Sequence, residues 1–197
     1  MSTVKKGNAF EDKVFGHFKD ELENDNLYIT KKTSKIFQKK SYYSRDREAN
    51  IVTDISIETF LPNATDYSLL TVIECKDYNS TIPIDDIQEL HDKARQIAGD
   101  KGKAIFATTA ALQRSALTYA RNNKIAIVRF LPSDQVQWIT YFMTGSMLTQ
   151  KEKLDGSEFN SALLNSGHIG KNRDFYSCYD NYIFSNLTSI LKRLLND

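Results

Sequence analysis

Glu74 and Lys76 stand two residues apart in the run Leu69-Leu70-Thr71-Val72-Ile73-Glu74-Cys75-Lys76. Side chains alternate along a β-strand with a period of two, so this spacing puts a carboxylate and an ammonium on one face and Cys75 on the other. Asp54 lies in a second alternating run, Ile51 to Phe60, where it shares a face with Val52, Ser56 and Glu58, opposite Ile51, Ile55 and Ile57. Aspartate is disfavoured inside a strand and its position asks for compensation. If the two runs pair as an antiparallel hairpin across the turn-rich Leu61-Pro62-Asn63-Ala64-Thr65-Asp66 segment, two carboxylates and a lysine converge. Carboxylates at close range repel unless a cation lies between them, and a hard divalent ion such as magnesium takes oxygen ligands of this kind. The chemistry would be metal-assisted attack of water on a phosphodiester, with Lys76 positioning the water or stabilising charge on the phosphate. The same residues also read as an ordinary strand-end pair and a local hydrogen-bonding aspartate, since Glu-x-Lys alone is common.

Positioning these groups falls to the flanking elements. Asn8-Ala9-Phe10-Glu11 has the form of a capping box, and Phe10, Val14, Phe18 and Leu22 recur at helical spacing, which predicts a helix from about Asn8 to Glu23 packed on a sheet. Glu11 serves either the cap or an inward-facing site. Leu27 to Lys31 reads as a short strand, and Leu69 to Lys76 as a central strand covered on both faces. Ile84, Ile87, Leu90, Ala94 and Ile97 predict a helix that Gly99 stops. A strand at Ala104 to Thr108, a helix at Ala110 to Asn123 and a strand at Ile125 to Phe130 complete parallel crossovers. The fold class is α/β, a mixed sheet flanked by helices. After Leu131-Pro132 the pattern changes to an aromatic segment (Val136 to Phe142), a polar stretch (Lys151 to Ser177) and an amphipathic helix carrying Ile183, Leu187, Ile190, Leu191 and Leu194. The expected organisation is a core at 1–131 and an accessory extension at 132–197, acting as a lid or an oligomer contact.

Composition excludes several classes. With 41% hydrophobic and 26% charged residues, the chain has an ordinary globular profile. No stretch reaches the roughly 18 apolar residues of a membrane span, and the first residues lack an apolar targeting core, so a cytoplasmic protein is expected. Cys75 and Cys178 show no zinc spacing, and there is no phosphate-binding GxxxxGK loop. His17, His91 and His168 form no ligand or triad pattern and read as structural. The net charge of +1 leaves nucleic-acid binding to local patches. One such patch is Lys31, Lys32, Lys35, Lys39, Lys40, Arg45 and Arg47, with Phe37, Tyr42 and Tyr43 interleaved; it reads equally as a solvated loop.

The runs Ile51-Val52-Thr53-Asp54-Ile55-Ser56-Ile57-Glu58 and Val72-Ile73-Glu74-Cys75-Lys76-Asp77-Tyr78 together resemble the PD-(D/E)xK nucleases and, among them, the Mrr-like restriction endonucleases. Gly7-Asn8-Ala9-Phe10-Glu11 is similar to the helix start that precedes the core in that group. The segment from Ile84 through Phe130, with Thr108, Thr109, Ala116 and Ala120, is similar to the helix, strand and alanine-bearing helix on the C-terminal side of the group's motif. The resemblance implies a restriction-endonuclease-like core that cleaves DNA with Mg²⁺, for which Mn²⁺ can substitute. Carried onto this chain, Asp54, Glu74 and Glu11 would be metal ligands and Lys76 the catalytic lysine. Thr53 replaces the proline that often precedes the first aspartate, and Glu74 stands where many Mrr-like members have Gln. The Gln-x-x-x-Tyr pattern of RecB-type exonucleases is absent, because Asp92 holds the tyrosine position after Gln88. Double-strand cleavage would favour a homodimer through the C-terminal extension. The competing expectation is a catalytically silent nucleic-acid-binding or assembly module with the same fold.

Overall fold

The computed structural model describes residues 3–24, 32–137, 156–171 and 173–195. Helix α1 spans Thr3–Glu23. Its buried residues Phe10, Val14, Phe18 and Leu22 recur every four positions and form one stripe; burying such side chains stabilises by about 1.5–3 kcal/mol each. The helix begins five residues before the expected cap, since Thr3 to Lys6 contains no helix breaker and lysine propagates a helix well. Asn8 and Glu11 are therefore interior helical residues, and no capping box forms.

The expected single strand from Ile51 to Phe60 is two. Strand β3 (Ala49–Val52) pairs with β2 (Ser41–Ser44) in a two-stranded ribbon, whereas β4 (Ile55–Thr59) belongs to the main sheet beside β1 (Ser34–Gln38). The break at Thr53-Asp54 is fixed by its own hydrogen bonds: Thr53 N donates to Lys40 O at 3.0 Å, and Lys39 N to Asp54 O at 2.9 Å. It also reverses the facing of the chain. Ile51 packs with Tyr42 and Val72 on one side of the sheet, and Ile55 and Ile57 pack on the other. The basic segment is thus largely strand rather than loop. The expected strand at Leu27 to Lys31 lies outside the described residues.

The remaining elements are β5 (Leu69–Lys76), α2 (Ile84–Ala98), β6 (Gly102–Thr108), α3 (Arg114–Asn122), β7 (Ile125–Phe130), β8 (Val136–Gln137), α4 (Gly156–Leu164), β9 (Gly170–Lys171), β10 (Phe175–Tyr179), β11 (Tyr182–Phe184) and α5 (Leu187–Leu195). They build a seven-stranded sheet in the order β1-β4-β5-β6-β7-β10-β11. Strand β4 runs antiparallel to both β1 and β5; β5, β6 and β7 are parallel; β10 returns antiparallel to β7. Strand β5 is an interior strand between β4 and β6, with Leu70 and Val72 in the core under α2, α3 and α4, and Ile73 in the core under α1 and α5. Helix α2 buries Ile87, Leu90, Ala94 and Ile97 and ends at Gly99, whose φ of 55° suits glycine.

Most of the aromatic segment expected at Val136 to Phe142 lies outside the described residues. The stretch expected to be polar contains α4, which buries Phe159, Ala162 and Leu163. Ile183 lies on β11, and the last helix begins at Leu187 because the Tyr179–Tyr182 hairpin pairing keeps the preceding chain extended. Among the described residues, no helix is long and apolar enough to cross a membrane.

Candidate active site

Antiparallel register carries the site. The β4–β5 ladder pairs Ile57 with Thr71, Ser56 with Val72 and Ile55 with Ile73. The next residues along the two chains are Asp54 and Glu74. Asp54 occupies the bend just before β4 rather than mid-strand, so its carboxylate is free to turn to the end of β5, where Oδ2 accepts from Cys75 N at 2.9 Å. The flanking Glu74 and Lys76 share the opposite face from Cys75, and Lys76 Nζ lies 3.3 Å from Glu74 Oε1.

Each carboxylate here is matched by an ammonium. Lys39 Nζ bridges two of them, at 2.5 Å from Glu11 Oε2 and 2.8 Å from Asp54 Oδ1. Glu11 reaches in from α1, is 5% exposed, and takes a second bond from Gln38 Nε2 at 3.0 Å. Of the two roles open to Glu11, the structure gives it the inward one. Glu74 is held on its far side by Lys93 of α2, whose Nζ is 2.6 Å from Oε2. Cys75 reports the convergence: burial raises its thiol pKa, and the fields of Asp54, Glu11 and Glu74 raise it further against the opposing Lys39. For Lys39, burial works to lower the pKa, but hydrogen bonds to Asp54 and Glu11 outweigh it and the net shift is upward. For Lys76, burial likewise opposes the charge and Glu74 more than restores it.

The basic residues of the second segment do not form one patch. Lys32 and Lys35 are exposed beside Phe60 to Thr65, at the Ser34 end of β1, and Lys35 lies over the Phe60 ring. That is one strand length, roughly 13 Å, from the Gln38 end where the carboxylates gather. Lys40 is engaged internally by Glu58 Oε1 at 2.5 Å and the face of Phe37. Arg45 and Arg47 are exposed at the turn of the β2–β3 ribbon, and Lys31 lies outside the described residues.

Other candidates have local duties. Glu58 accepts from Lys40 and from Tyr42 Oη at 2.9 Å. Asp77 accepts from Thr109 Oγ1 at 2.6 Å, and Gln88 is exposed on α2. His17 stacks on Phe130, His91 bonds Tyr119 Oη at 2.9 Å, and His168 packs against Tyr176. Lys93 and Gln38 belong to no motif in the sequence and enter the site only through the fold. Lys93 lies one helical turn beyond the buried Leu90, so it borders the apolar stripe facing the sheet, and that adjacency is the signal that could have found it.

Among the described residues no three His, Cys, Asp or Glu side chains form a ready cage for a metal. Magnesium does not demand one, since it is usually bound through one or two carboxylates and completed by water and substrate phosphate. A pair of carboxylates already holding a cation between them, with all-oxygen donors, fits that requirement.

No characterised protein in a search of curated sequences matches this chain. Among solved structures, Can2 from Sulfobacillus thermosulfidooxidans in complex with cyclic tetra-adenylate aligns at 22% identity with a TM-score of 0.45, over 61% of this chain and 29% of that one. The chain thus spans less than a third of that protein's length. The family model described as restriction endonuclease, the Mrr catalytic type, matches residues 19–132, which is more than half of the chain and includes Asp54, Glu74 and Lys76. With that match laid over an interior β5 that ends in Glu74 and Lys76 beside Asp54, the chain belongs to the Mrr-type restriction endonuclease family.

Proposed function

We propose that this protein is a magnesium-dependent endonuclease that hydrolyses DNA phosphodiesters in restriction or defence, with its active site at the Lys76 end of β5. The observation that supports this most is the Glu11–Lys39–Asp54 cluster, anchored on the Cys75 N–H, with the Glu74–Lys76 pair flanking Cys75 at the same end of β5. Asp54, Glu74 and Glu11 would hold the ion, and Mn²⁺ would fit the same oxygen donors. When bound, the ion supplies charge neutralisation at the phosphate and a more acidic water. Glu74 keeps Lys76 protonated, so its ammonium serves to bind a phosphate oxygen and stabilise the charge that develops there. Asp54 is oriented by the Cys75 N–H, which fixes one oxygen and leaves the other directed to the cation position. Arg45 and Arg47, exposed on the ribbon that leads into Asp54, would contact the DNA backbone. One such site cuts one strand, so double-strand cleavage calls for a homodimer, with the residues after Phe130 as its contact.

The test is cleavage of linear, circular and single-stranded DNA with Mg²⁺, Mn²⁺ or EDTA. The wild-type protein should cut only with metal, and Asp54→Ala and Lys76→Ala should each lower the rate by about 10²–10⁴-fold. Metal-dependent cutting that survives both substitutions removes the site assignment. DNA bound but left intact on every substrate identifies a silent binding module instead.

A further inference from the structure

Lys39 holds an unusual place for a residue of a basic segment. Its ammonium lies between the carboxylates of Glu11 and Asp54, at 2.5 and 2.8 Å. Yet its side chain is 53% exposed, whereas that of Glu11 is 6% exposed, so the ammonium enters the site from the solvent side and can leave without disturbing the core. The turn that carries it is anchored separately: Lys39 N donates to Asp54 O, Thr53 N donates to Lys40 O, and Lys39 takes a φ of 53°, a left-handed conformation uncommon for a side chain of this kind. The backbone is therefore held against the Asp54 segment while the side chain is free to swing. Charge points the same way. Glu11 and Asp54 present two carboxylates to the single positive charge of Lys39, whereas a divalent cation in its place would match both.

We propose that Lys39 is a built-in occupant of the cation position between Glu11 and Asp54, that a divalent metal binds there by displacing it, and that the released ammonium then turns to a phosphate of the nucleic-acid substrate. This rests on the metal-dependent nuclease reading and adds a competition within it. Metal and substrate become coupled, because each favours the conformation in which Lys39 has left the carboxylates.

Mn²⁺ titration followed by the electron paramagnetic resonance of the free ion tests this without any turnover. Lys39→Met, which keeps length and loses charge, should bind Mn²⁺ at least about tenfold more tightly than wild type in the absence of DNA, while Lys39→Arg stays near wild type. On the wild-type protein, acylation by acetic anhydride read by peptide mass spectrometry should rise at Lys39 when saturating Mn²⁺ is added. Equal Mn²⁺ affinity in wild type and Lys39→Met, or unchanged acylation of Lys39, overturns the competition and leaves the nuclease reading standing. Mn²⁺ binding to neither protein overturns the metal-dependent reading and the competition with it.

Discussion

Lys93 shares the Glu74 carboxylate with Lys76, one ammonium on each oxygen, and the two contacts differ: 2.6 Å for Lys93 and 3.3 Å for Lys76. The tighter, more buried Lys93 neutralises Glu74 and leaves Lys76 less firmly held, with 23% of its side chain exposed to solvent against 13% for Lys93. Removing Lys93 concentrates the whole attraction of Glu74 on Lys76 and, under the proposed function, would draw it back from the phosphate. Lys93→Met is thus expected to lower single-turnover DNA cleavage about tenfold, a smaller loss than Lys76→Ala, with substrate affinity little changed. A loss carried entirely by KM would show that Lys93 binds DNA rather than tuning Lys76. Glu58 makes an instructive contrast. It is as buried as Glu74, but Lys40 and Tyr42 close it off from the site. Tyr42→Phe is expected to cost about 1–2 kcal/mol in urea unfolding, because it strips a partner from a buried carboxylate.

At the scale of elements, periodicity made part of the fold legible in the sequence. Strand β5, helix α2 and strand β7 lie where a β-rich run apolar on both faces, a stripe at helical spacing and a short apolar run put them, and the pairing of Glu74 with Lys76 comes from β5 alone. The break at Thr53-Asp54 was not legible, because a period of two continues through it; only the hydrogen bonds to Lys39 and Lys40, from a turn distant in sequence, reveal that the chain changes sheets there. Glu11 was ambiguous for a related reason. A capping box and an interior inward-facing glutamate share the same letters, and the turn of helix ahead of Asn8 decides between them. Arg129 was silent in the sequence, as one charge in an apolar strand. It is 1% exposed and donates from Nε to Thr109 O and from its terminal nitrogens to Ala162 O, Asn165 O and Gln135 Oε1, tying the end of β7 to the last turn of α4. Burial lowers its pKa to about 10, so it still carries a charge at neutral pH, facing the negative end of the helix dipole. Arg129→Met leaves buried carbonyls without donors and should cost about 2–4 kcal/mol in denaturant unfolding.

Across the whole molecule, the open question is whether the chain after Phe130 can be separated from the rest. The sequence suggests an appendage by its change of composition, but the structure distributes that segment over both faces and one edge of the sheet. Strand β10 pairs with β7, Tyr176 and Cys178 join the core under α2 to α4, and Leu187, Ile190, Leu191 and Leu194 join the core under α1. Without them β7, buried at every position, would become an exposed apolar edge, and α1 would lose the neighbour beside the stripe that positions Glu11. Phe159, Ala162, Leu163 and the six residues just named each contribute on the order of 1–3 kcal/mol of burial, together at least comparable to the roughly 5–15 kcal/mol by which a domain is usually stable. A fragment ending at Leu131 is therefore expected to lack cooperative unfolding and near-ultraviolet circular dichroism and to bind an apolar dye, with cleavage lost in consequence. Native-like cooperative melting of that fragment would instead establish a self-sufficient core, and the later residues would then be an accessory whose removal changes only association or access to DNA.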